Sequence, residues 1–249
     1  MLTPNQYCLI NGGAFDAAPA CLFAAKANQH VRILAHSDWL IRDKQSGRYV
    51  AAAKHDSVRF FQRTAFDAVR LQAVHELFSA GLRADQLRPI SDVLALLQTL
   101  GIDAEQYAMS HQLGLAAEPY VLEFAGKDRY QRALWLERHT KAAWRRLQCA
   151  ARMDALLLEA ISGFRSHHYQ MGIFQRKMTR GLAVQDILNV NAAPGFSEHH
   201  SGRALDLSSF GEPAAEQSFE NTPAFTWLMR FAGDFGFRLS YPRGNIHGI

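Results

Sequence analysis

The chain has 249 residues, of which 48% are hydrophobic and 20% are charged, a composition that fits a folded globular protein and excludes wholesale disorder. The formal net charge is +4, but the basic residues are dispersed and do not alternate with aromatic ones, so nucleic-acid binding is not expected. Three scattered cysteines argue against a disulfide framework, and no stretch reaches the roughly 18 apolar residues that span a membrane.

The first part of the chain, residues 1–115, is predicted to be a mixed and mostly helical region. The predicted elements are a hairpin over 31–35 and 48–53, a helix over 57–80 that ends at Gly81, and helices that begin at Ser91 and Asp103. The histidines here stand alone and are not expected to be catalytic. The role of this region stays open at this stage.

A domain boundary is predicted where the pattern loosens, over residues 113–127, which gives domains of 1–115 and 116–249. The elements predicted beyond it are helices over 135–156, 168–180 and 184–190, strands over 157–161 and 204–207, a helix from Thr222 to Phe235 with Pro223 at its first position, and a final strand over 237–241. Helices and strands mix without strict βαβ alternation, which predicts an α+β fold.

The segment PGFSEHHSGRALDL, residues 194–207, concentrates polar and reactive side chains in one place. His199 and Asp206 are residue types that bind zinc, and Gly202 would allow the turn that brings them together. Ser197 is a weaker candidate for a nucleophile because its neighbours do not form the G-x-S-x-G pattern. A solvated polar loop is the third alternative.

Five positions match the pattern S-x-H-x-x-G-x-A-x-D: Ser197, His199, Gly202, Ala204 and Asp206. This pattern resembles the zinc-binding signature of D-Ala-D-Ala carboxypeptidases of the VanY type, which are related to D-Ala-D-Ala dipeptidases and to the hedgehog and lysostaphin-like group. Residues 162–166 and Gln170 resemble the family segment S-G-[FY]-R-S-x-x-x-Q, and the likeness covers roughly residues 115–249. It implies a small antiparallel sheet flanked by helices.

The resemblance also implies roles for individual residues. His199 and Asp206 would bind Zn²⁺, and Arg165 would be the catalytic donor that stabilises the oxyanion. The expected substrate-binding residues are Ser197, Gln170 and Ser162. The implied substrates are peptidoglycan-derived peptides that end in D-Ala, and whether the activity is that of a carboxypeptidase or of a dipeptidase is left open.

The family's last motif, E-P-W-H-W, carries the general-base glutamate and the third zinc ligand, and it does not occur in the sequence. His247 is a weak candidate to replace that ligand. We therefore expect impaired zinc binding and hydrolysis, and a non-catalytic muropeptide-binding module is the alternative. Glu198 and His200 are expected to face outward. The N-terminus does not resemble a signal peptide, so the cytoplasm is expected, with the periplasm or cell envelope as the alternative.

Overall fold

The structure is a computed structural model that describes residues 7–25, 27–55, 57–62, 67–80, 85–213, 217–242 and 244. It is an α+β fold, as predicted, with antiparallel sheets flanked by helices. Within the described ranges, no helix combines the length and the apolar character that crossing a bilayer requires. His247 and Gly81 lie outside the described residues.

Among the described residues, seven strands form the larger sheet. They are β1 (Cys8–Asn11), β2 (Phe15–Pro19), β3 (Trp39–Asp43), β4 (Tyr49–Lys54), β5 (Ser57–Phe60), β6 (Val121–Lys127) and β7 (Ala133–Leu136). Their order is β5-β4-β3-β2-β1-β6-β7, and each neighbouring pair is antiparallel. Strand β1 pairs directly with β6, so the sheet continues across the predicted boundary at residue 115, and the division into domains stays a prediction.

A second, two-stranded sheet pairs β8 (Leu158–Ser162) with β9 (Asp206–Ser209). The strands are antiparallel, and Ser162 at the end of β8 lies opposite Asp206 at the start of β9. The register shifts between Ala160 and Ser162, which is the irregularity that a β-bulge produces. The segment that follows β8 and the segment that precedes β9 therefore lie at the same end of the two-stranded sheet.

Eight helices surround the sheets in the described part of the chain. They are α1 (Asn28–Ala35), α2 (Ala68–Ala80), α3 (Ser91–Thr99), α4 (Ala104–His111), α5 (Arg138–Met153), α6 (His167–Thr179), α7 (Val184–Leu188) and α8 (Pro223–Phe231). Side chains of Asp103, Ser166 and Thr222 cap α4, α6 and α8 by accepting backbone N–H groups, each cap contributing about 1 kcal/mol.

The core next to the two-stranded sheet comes from α5 and α8. Trp144, Leu147 and Ala151 lie at helical spacing on α5 and are buried, together with Trp227 of α8 and Leu158 of β8. An apolar stripe of this kind fixes a helix against a sheet because burial removes its surface from water. Packing against this core therefore holds β8 in a fixed position.

Four predicted elements differ from the structure. The second segment of the predicted hairpin, residues 48–53, overlaps β4, but residues 31–35 belong to α1 because Ile33 and Leu34 pack together against the sheet. Residues 57–60 form β5, since they pair with β4 rather than begin a helix. Trp135 lies in β7, opposite Phe124, so the helix starts three residues later than predicted.

The fourth difference is the predicted final strand, residues 237–241, which is irregular in the structure. Gly236 has a φ of +83° and turns the chain after α8, and Phe237 then packs onto the core around Trp144. The hydroxyl of Ser240 donates to the Glu198 carboxylate at 2.6 Å. Side-chain contacts rather than strand pairing hold this segment.

Candidate metal and substrate site

The segment between β8 and α6 lies tightly against β7. A Cβ atom on Gly163 would be 2.7 Å from a methyl carbon of Leu134 and 3.1 Å from the Trp135 carbonyl oxygen, so the position requires glycine. The backbone N–H of Phe164 donates to that carbonyl oxygen at 3.0 Å. These contacts fix the turn that carries Arg165.

The loop before β9 is fixed in the same way. Gly202 has a φ of +69°, and a Cβ atom there would be 2.6 Å from Leu122 and 3.1 Å from the Glu137 nitrogen. Its carbonyl oxygen accepts a hydrogen bond from the backbone N–H of Glu137 at 2.9 Å. The glycine of the recognised pattern is therefore required by its backbone conformation and by its close neighbours.

His199 is buried and held in one orientation. Its Nδ1 lies 2.7 Å from the carbonyl oxygen of Gly163, and because a carbonyl only accepts, Nδ1 carries a proton. The other nitrogen, Nε2, lies 3.3 Å from Oδ1 of Asp206. In neutral His199, Nε2 therefore presents a lone pair beside a carboxylate oxygen.

The Asp206 carboxylate is partly open, with 48% of its side chain exposed. Burial opposes its ionisation, but a hydrogen bond and a positive charge from His199 in its protonated form, together with the charge of Arg165, outweigh that effect and lower its pKa below the ordinary value. Asp206 is therefore ionised at neutral pH, the form that binds a cation.

His199 and Asp206 fit part of a zinc site. Two ligands at about 2.1 Å from a tetrahedral zinc ion lie about 3.4 Å apart, close to the observed separation of 3.3 Å. The hydrogen bond from Nδ1 to a backbone carbonyl is the usual way in which a zinc-binding imidazole is oriented. Among the residues that the structure describes, no group of three or more His, Cys, Asp and Glu side chains could hold a metal.

Arg165 lies next to this pair of ligands and is itself oriented by a buried amide. Its Nη1 donates to Oε1 of Gln170 at 3.3 Å, and Nε2 of Gln170 donates to the carbonyl oxygen of Ala192 at 2.8 Å. Gln170 is only 1% exposed. Gln170 thus contacts Arg165 and orients its guanidinium. A contact between Gln170 and a substrate stays a prediction.

The two predicted serines lie on either side of the ligand pair. Ser197 precedes the turn that carries His199, and its carbonyl oxygen accepts from the backbone N–H of His200 at 3.1 Å. Ser162 is partly buried at the end of β8, opposite Asp206. The role of these two serines in substrate binding stays a prediction.

The expectation that His200 faces outward is wrong, because its side chain is fully buried. Its Nδ1 donates to the carbonyl oxygen of Arg165 at 2.5 Å, and its Nε2 accepts from the backbone N–H of Gly195 at 3.0 Å. Burial lowers the pKa of His200 to about 3, so the ring is neutral at neutral pH. It joins the segment of Arg165 to the loop of His199.

Glu198 was also expected to face outward, and it is half-buried instead. It accepts the hydrogen bond from Ser240 described above, so it ties the loop to the segment after α8. A turn of 3₁₀ helix over Glu198–Ser201 explains both differences, because it rotates successive side chains to different sides.

Part of the chain is similar to known carboxypeptidases. Residues 133–249 match the sequence model of VanY, D-alanyl-D-alanine carboxypeptidase. This segment is therefore similar to the VanY family. YodJ of Bacillus subtilis (strain 168), a protein named as a carboxypeptidase, is 28% identical over 123 residues, and the match covers 49% of this chain and 44% of YodJ. The chain thus spans less than half the length of this curated relative.

Two solved structures resemble the chain over about half of its length. The LdcB LD-carboxypeptidase is 25% identical, with 48% of this chain and 57% of that chain covered and a TM-score of 0.44. A D,D-pentapeptidase VanY in complex with Zn(II) is 24% identical, with 51% and 72% covered and a TM-score of 0.39. Both TM-scores are below 0.5, so the resemblance to the VanY family is based on the sequence match.

A cluster of buried charged and polar residues lies at the start of α6, and the sequence did not indicate it. The Glu118 carboxylate accepts from Nδ2 of Asn11 at 2.8 Å, lies 3.5 Å from Nζ of Lys44, and accepts the backbone N–H of His167 at the start of α6. Burial alone would raise the pKa of Glu118, but the charges of Lys44 and His167 lower it well below its usual range. Glu118 is therefore ionised inside the protein.

Asn11, Lys44 and Glu118 all precede the matched residues 133–249, and Asn11 and Lys44 come from residues 1–115, whose role the sequence left open. The ring of His167 contacts the ring of His200 edge-to-face, with centroids 4.4 Å apart. His200 in turn binds the Arg165 carbonyl. The N-terminal region thus supports the turn that carries the candidate catalytic arginine.

Proposed function

We propose that this chain is a zinc-dependent hydrolase of D-Ala-terminated peptidoglycan peptides, of the D-alanyl-D-alanine carboxypeptidase or dipeptidase type. The observation that carries the proposal is the 3.3 Å separation between Nε2 of His199 and Oδ1 of Asp206 within a VanY sequence match. The two atoms are a nitrogen and an oxygen ligand that zinc prefers, and Arg165 is close enough to lower the pKa of Asp206.

In this proposal His199 and Asp206 hold the metal. When bound, zinc supplies a Lewis acid for the scissile carbonyl and lowers the pKa of a water molecule. Asp206 contributes the negative charge that a divalent cation requires, and His199 contributes a neutral nitrogen whose direction is fixed by Gly163. Both ligands are on rigid segments, so little reorganisation accompanies binding.

Arg165 is proposed to donate to the substrate's carbonyl oxygen as negative charge develops on it. A guanidinium is permanently charged and planar, which suits that task better than an amine. Gln170 and the backbone contact with His200 hold it in place, and such preorganisation is the main source of electrostatic stabilisation of a transition state. Ser197 and Ser162 are proposed to bind the peptide's backbone or terminal carboxylate.

We further propose that a polypeptide of these 249 residues hydrolyses such peptides slowly. A catalytic zinc site ordinarily has three protein ligands, and the described residues bring together two. The E-P-W-H-W sequence that supplies the third ligand and the general base in the family is absent from the 249 residues. The alternative function is a non-catalytic module that binds muropeptides in the same cleft.

Two measurements on one sample separate these functions. Calorimetric titration with a peptide ending in D-Ala-D-Ala measures binding, and a D-amino-acid oxidase assay with added zinc measures release of D-Ala. Because release by the 249 residues is expected to be very slow, the deciding sample is a chain extended by a tail that carries E-P-W-H-W. Release by that chain that His199→Ala abolishes supports the hydrolase, while binding without release by that chain supports the module. The matched control is His139→Ala, because His139 is an exposed histidine on α5 that is not one of the candidate site residues. Neither binding nor release would refute both proposals.

A further inference from the structure

A basic groove lies between the turn that follows β3 and helix α6. Its volume is about 660 Å³, which falls in the range of ligand sites. Its charged lining consists of Arg48, Arg70, Arg176, Arg180 and Asp43. Four guanidinium groups against one carboxylate leave a local excess of positive charge, and none of these residues belongs to the candidate metal site.

Two of the arginines are held in place. Nη2 of Arg70 pairs with Oδ2 of Asp43 at 2.6 Å. Nη1 of Arg176 donates to the Gln45 carbonyl oxygen at 3.1 Å, and its guanidinium lies 5.7 Å from the centre of the Tyr169 ring. A guanidinium that is already oriented loses less conformational freedom when it binds an anion.

The other two arginines, Arg48 and Arg180, are exposed. Their guanidinium groups make no hydrogen bond or ion pair with the parts of the protein that the structure describes. Their charge is therefore available to a ligand, whereas Arg70 already shares its charge with Asp43.

The two walls of the groove, which are the turn after β3 and helix α6, are in direct contact. A Cβ atom on Gly172 of α6 would be 2.2 Å from the carbonyl oxygen of Gln45, so the helix and the turn touch backbone to backbone. The side-chain amide of Gln45 also donates to Gln175 on the next turn of α6. The spacing of the arginines on the two walls is thus set by the fold.

From this arrangement we infer that the groove binds a phosphate-bearing ligand. Guanidinium groups bind phosphate oxygens in pairs, and a ligand with more than one negative charge matches the excess of positive charge. The volume takes a ligand larger than a single ion, such as a diphosphate or several units of a phosphodiester chain. The inference does not depend on the proposed peptidase activity, because it rests on other residues.

The test is calorimetric titration of the full chain at low salt with pyrophosphate and, separately, with a glycerol phosphate oligomer. We expect wild-type protein to bind at least one of these two probes. Tighter binding of pyrophosphate would indicate a free diphosphate as the ligand, and tighter binding of the oligomer would indicate a phosphodiester polymer. The double variant R48Q/R180Q should bind about tenfold more weakly or worse. His199→Ala should bind as wild type does.

The matched control is R145Q/R146Q, which removes the same charge from an exposed arginine pair on α5. Thermal melts followed by circular dichroism confirm that both double variants remain folded. The proposal is overturned if wild-type protein binds neither probe. It is overturned equally if the control weakens binding as much as R48Q/R180Q does, since binding would then reflect overall charge.

Discussion

Glu118 lies beneath the start of α6, where its carboxylate accepts the backbone N–H of His167. The same carboxylate binds Asn11 and lies 3.5 Å from Lys44, so one buried anion joins the N-terminal strands to the helix that follows Arg165. A negative charge at a helix N-terminus is stabilised by the unpaired N–H groups there. The Glu118 carboxylate therefore contributes both to the stability of the whole fold and to the geometry of the candidate site.

Replacing this carboxylate should destabilise the protein strongly. Glu118→Gln leaves the Lys44 ammonium buried without its counter-charge, and we expect the free energy of unfolding to fall by about 3 kcal/mol or more. The double variant Lys44→Met/Glu118→Gln should recover much of that loss. Urea denaturation measures both. Glu105→Gln, an exposed change on α4, is the control, and a loss no larger than the control's would show that the cluster is unimportant.

The same cluster predicts how stability depends on pH. The pKa of Glu118 is lower in the folded protein than in the unfolded chain, so the unfolded chain takes up its proton first as pH falls. The stabilisation is complete above the ordinary carboxyl pKa of about 4.3 and is lost below it. We expect the free energy of unfolding to drop more steeply below about pH 5 in wild type than in Lys44→Met/Glu118→Gln. Equal slopes would contradict the assignment.

Elements that depend on neighbouring residues could be predicted from the sequence. Asp103, Ser166 and Thr222 cap helices that begin where the sequence indicated, because a cap acts on N–H groups only a few residues away. His199 and Asp206 lie 3.3 Å apart, a closeness that the glycine between them allows, while their role as zinc ligands stays a prediction.

Features that depend on distant residues could not be predicted. Asn11 and Glu118 are 107 positions apart, and no local pattern shows that β1 will pair with β6 and bring them together. Trp135 looked helical because its spacing fits α5, but pairing with Phe124 outweighed that preference. The burial of His200 likewise depends on the 3₁₀ turn over Glu198–Ser201, which no local sequence pattern predicts.

The cysteines should differ in reactivity by a wide margin. Cys8 is buried in β1, and burial raises the pKa of its thiol to about 11, so little thiolate is present at neutral pH. Cys21 and Cys149 are exposed. We expect a chromogenic disulfide reagent to titrate two thiols rapidly in native protein and the third only after denaturant is added. Rapid reaction of all three would contradict the burial of β1.

Zinc should bind weakly to a polypeptide of these residues, because the described residues supply two ligands where three are usual. Dialysis followed by elemental analysis should find well under one zinc per chain. His199→Ala should remove what remains, and His139→Ala should not. Tightly held zinc at one per chain would mean that another residue, such as His247, or a second chain completes the site.

Arg165 should matter for peptide affinity even where hydrolysis is slow. Arg165→Ala should weaken binding of a D-Ala-D-Ala peptide by about tenfold, since a charged hydrogen bond is lost. Gln170→Leu removes the acceptor that orients Arg165 and should weaken binding less. Calorimetric titration measures both, with Arg146→Ala as the exposed control. Unchanged affinity in Arg165→Ala would remove Arg165 from the substrate site.

The last prediction concerns hydrolysis itself and follows from the groups that the reaction needs. Amide hydrolysis requires an activated water, a group that takes its proton and passes one to the leaving amine, and stabilisation of the oxyanion. Arg165 can provide the third, but a polypeptide of these residues lacks the E-P-W-H-W sequence that provides the glutamate and the third zinc ligand in the family. General acid–base assistance alone is worth about 10²–10⁴-fold in rate.

We therefore expect D-Ala release from a D-Ala-D-Ala peptide by residues 1–249 to be at or below detection in the oxidase-coupled assay. A variant extended by a short tail that carries E-P-W-H-W should release D-Ala, and His199→Ala in the extended chain should abolish that release. The control is a tail of equal length in which the glutamate is alanine, which should stay inactive. Robust release by the unextended chain would contradict this account, because some other side chain would then have to act as the base.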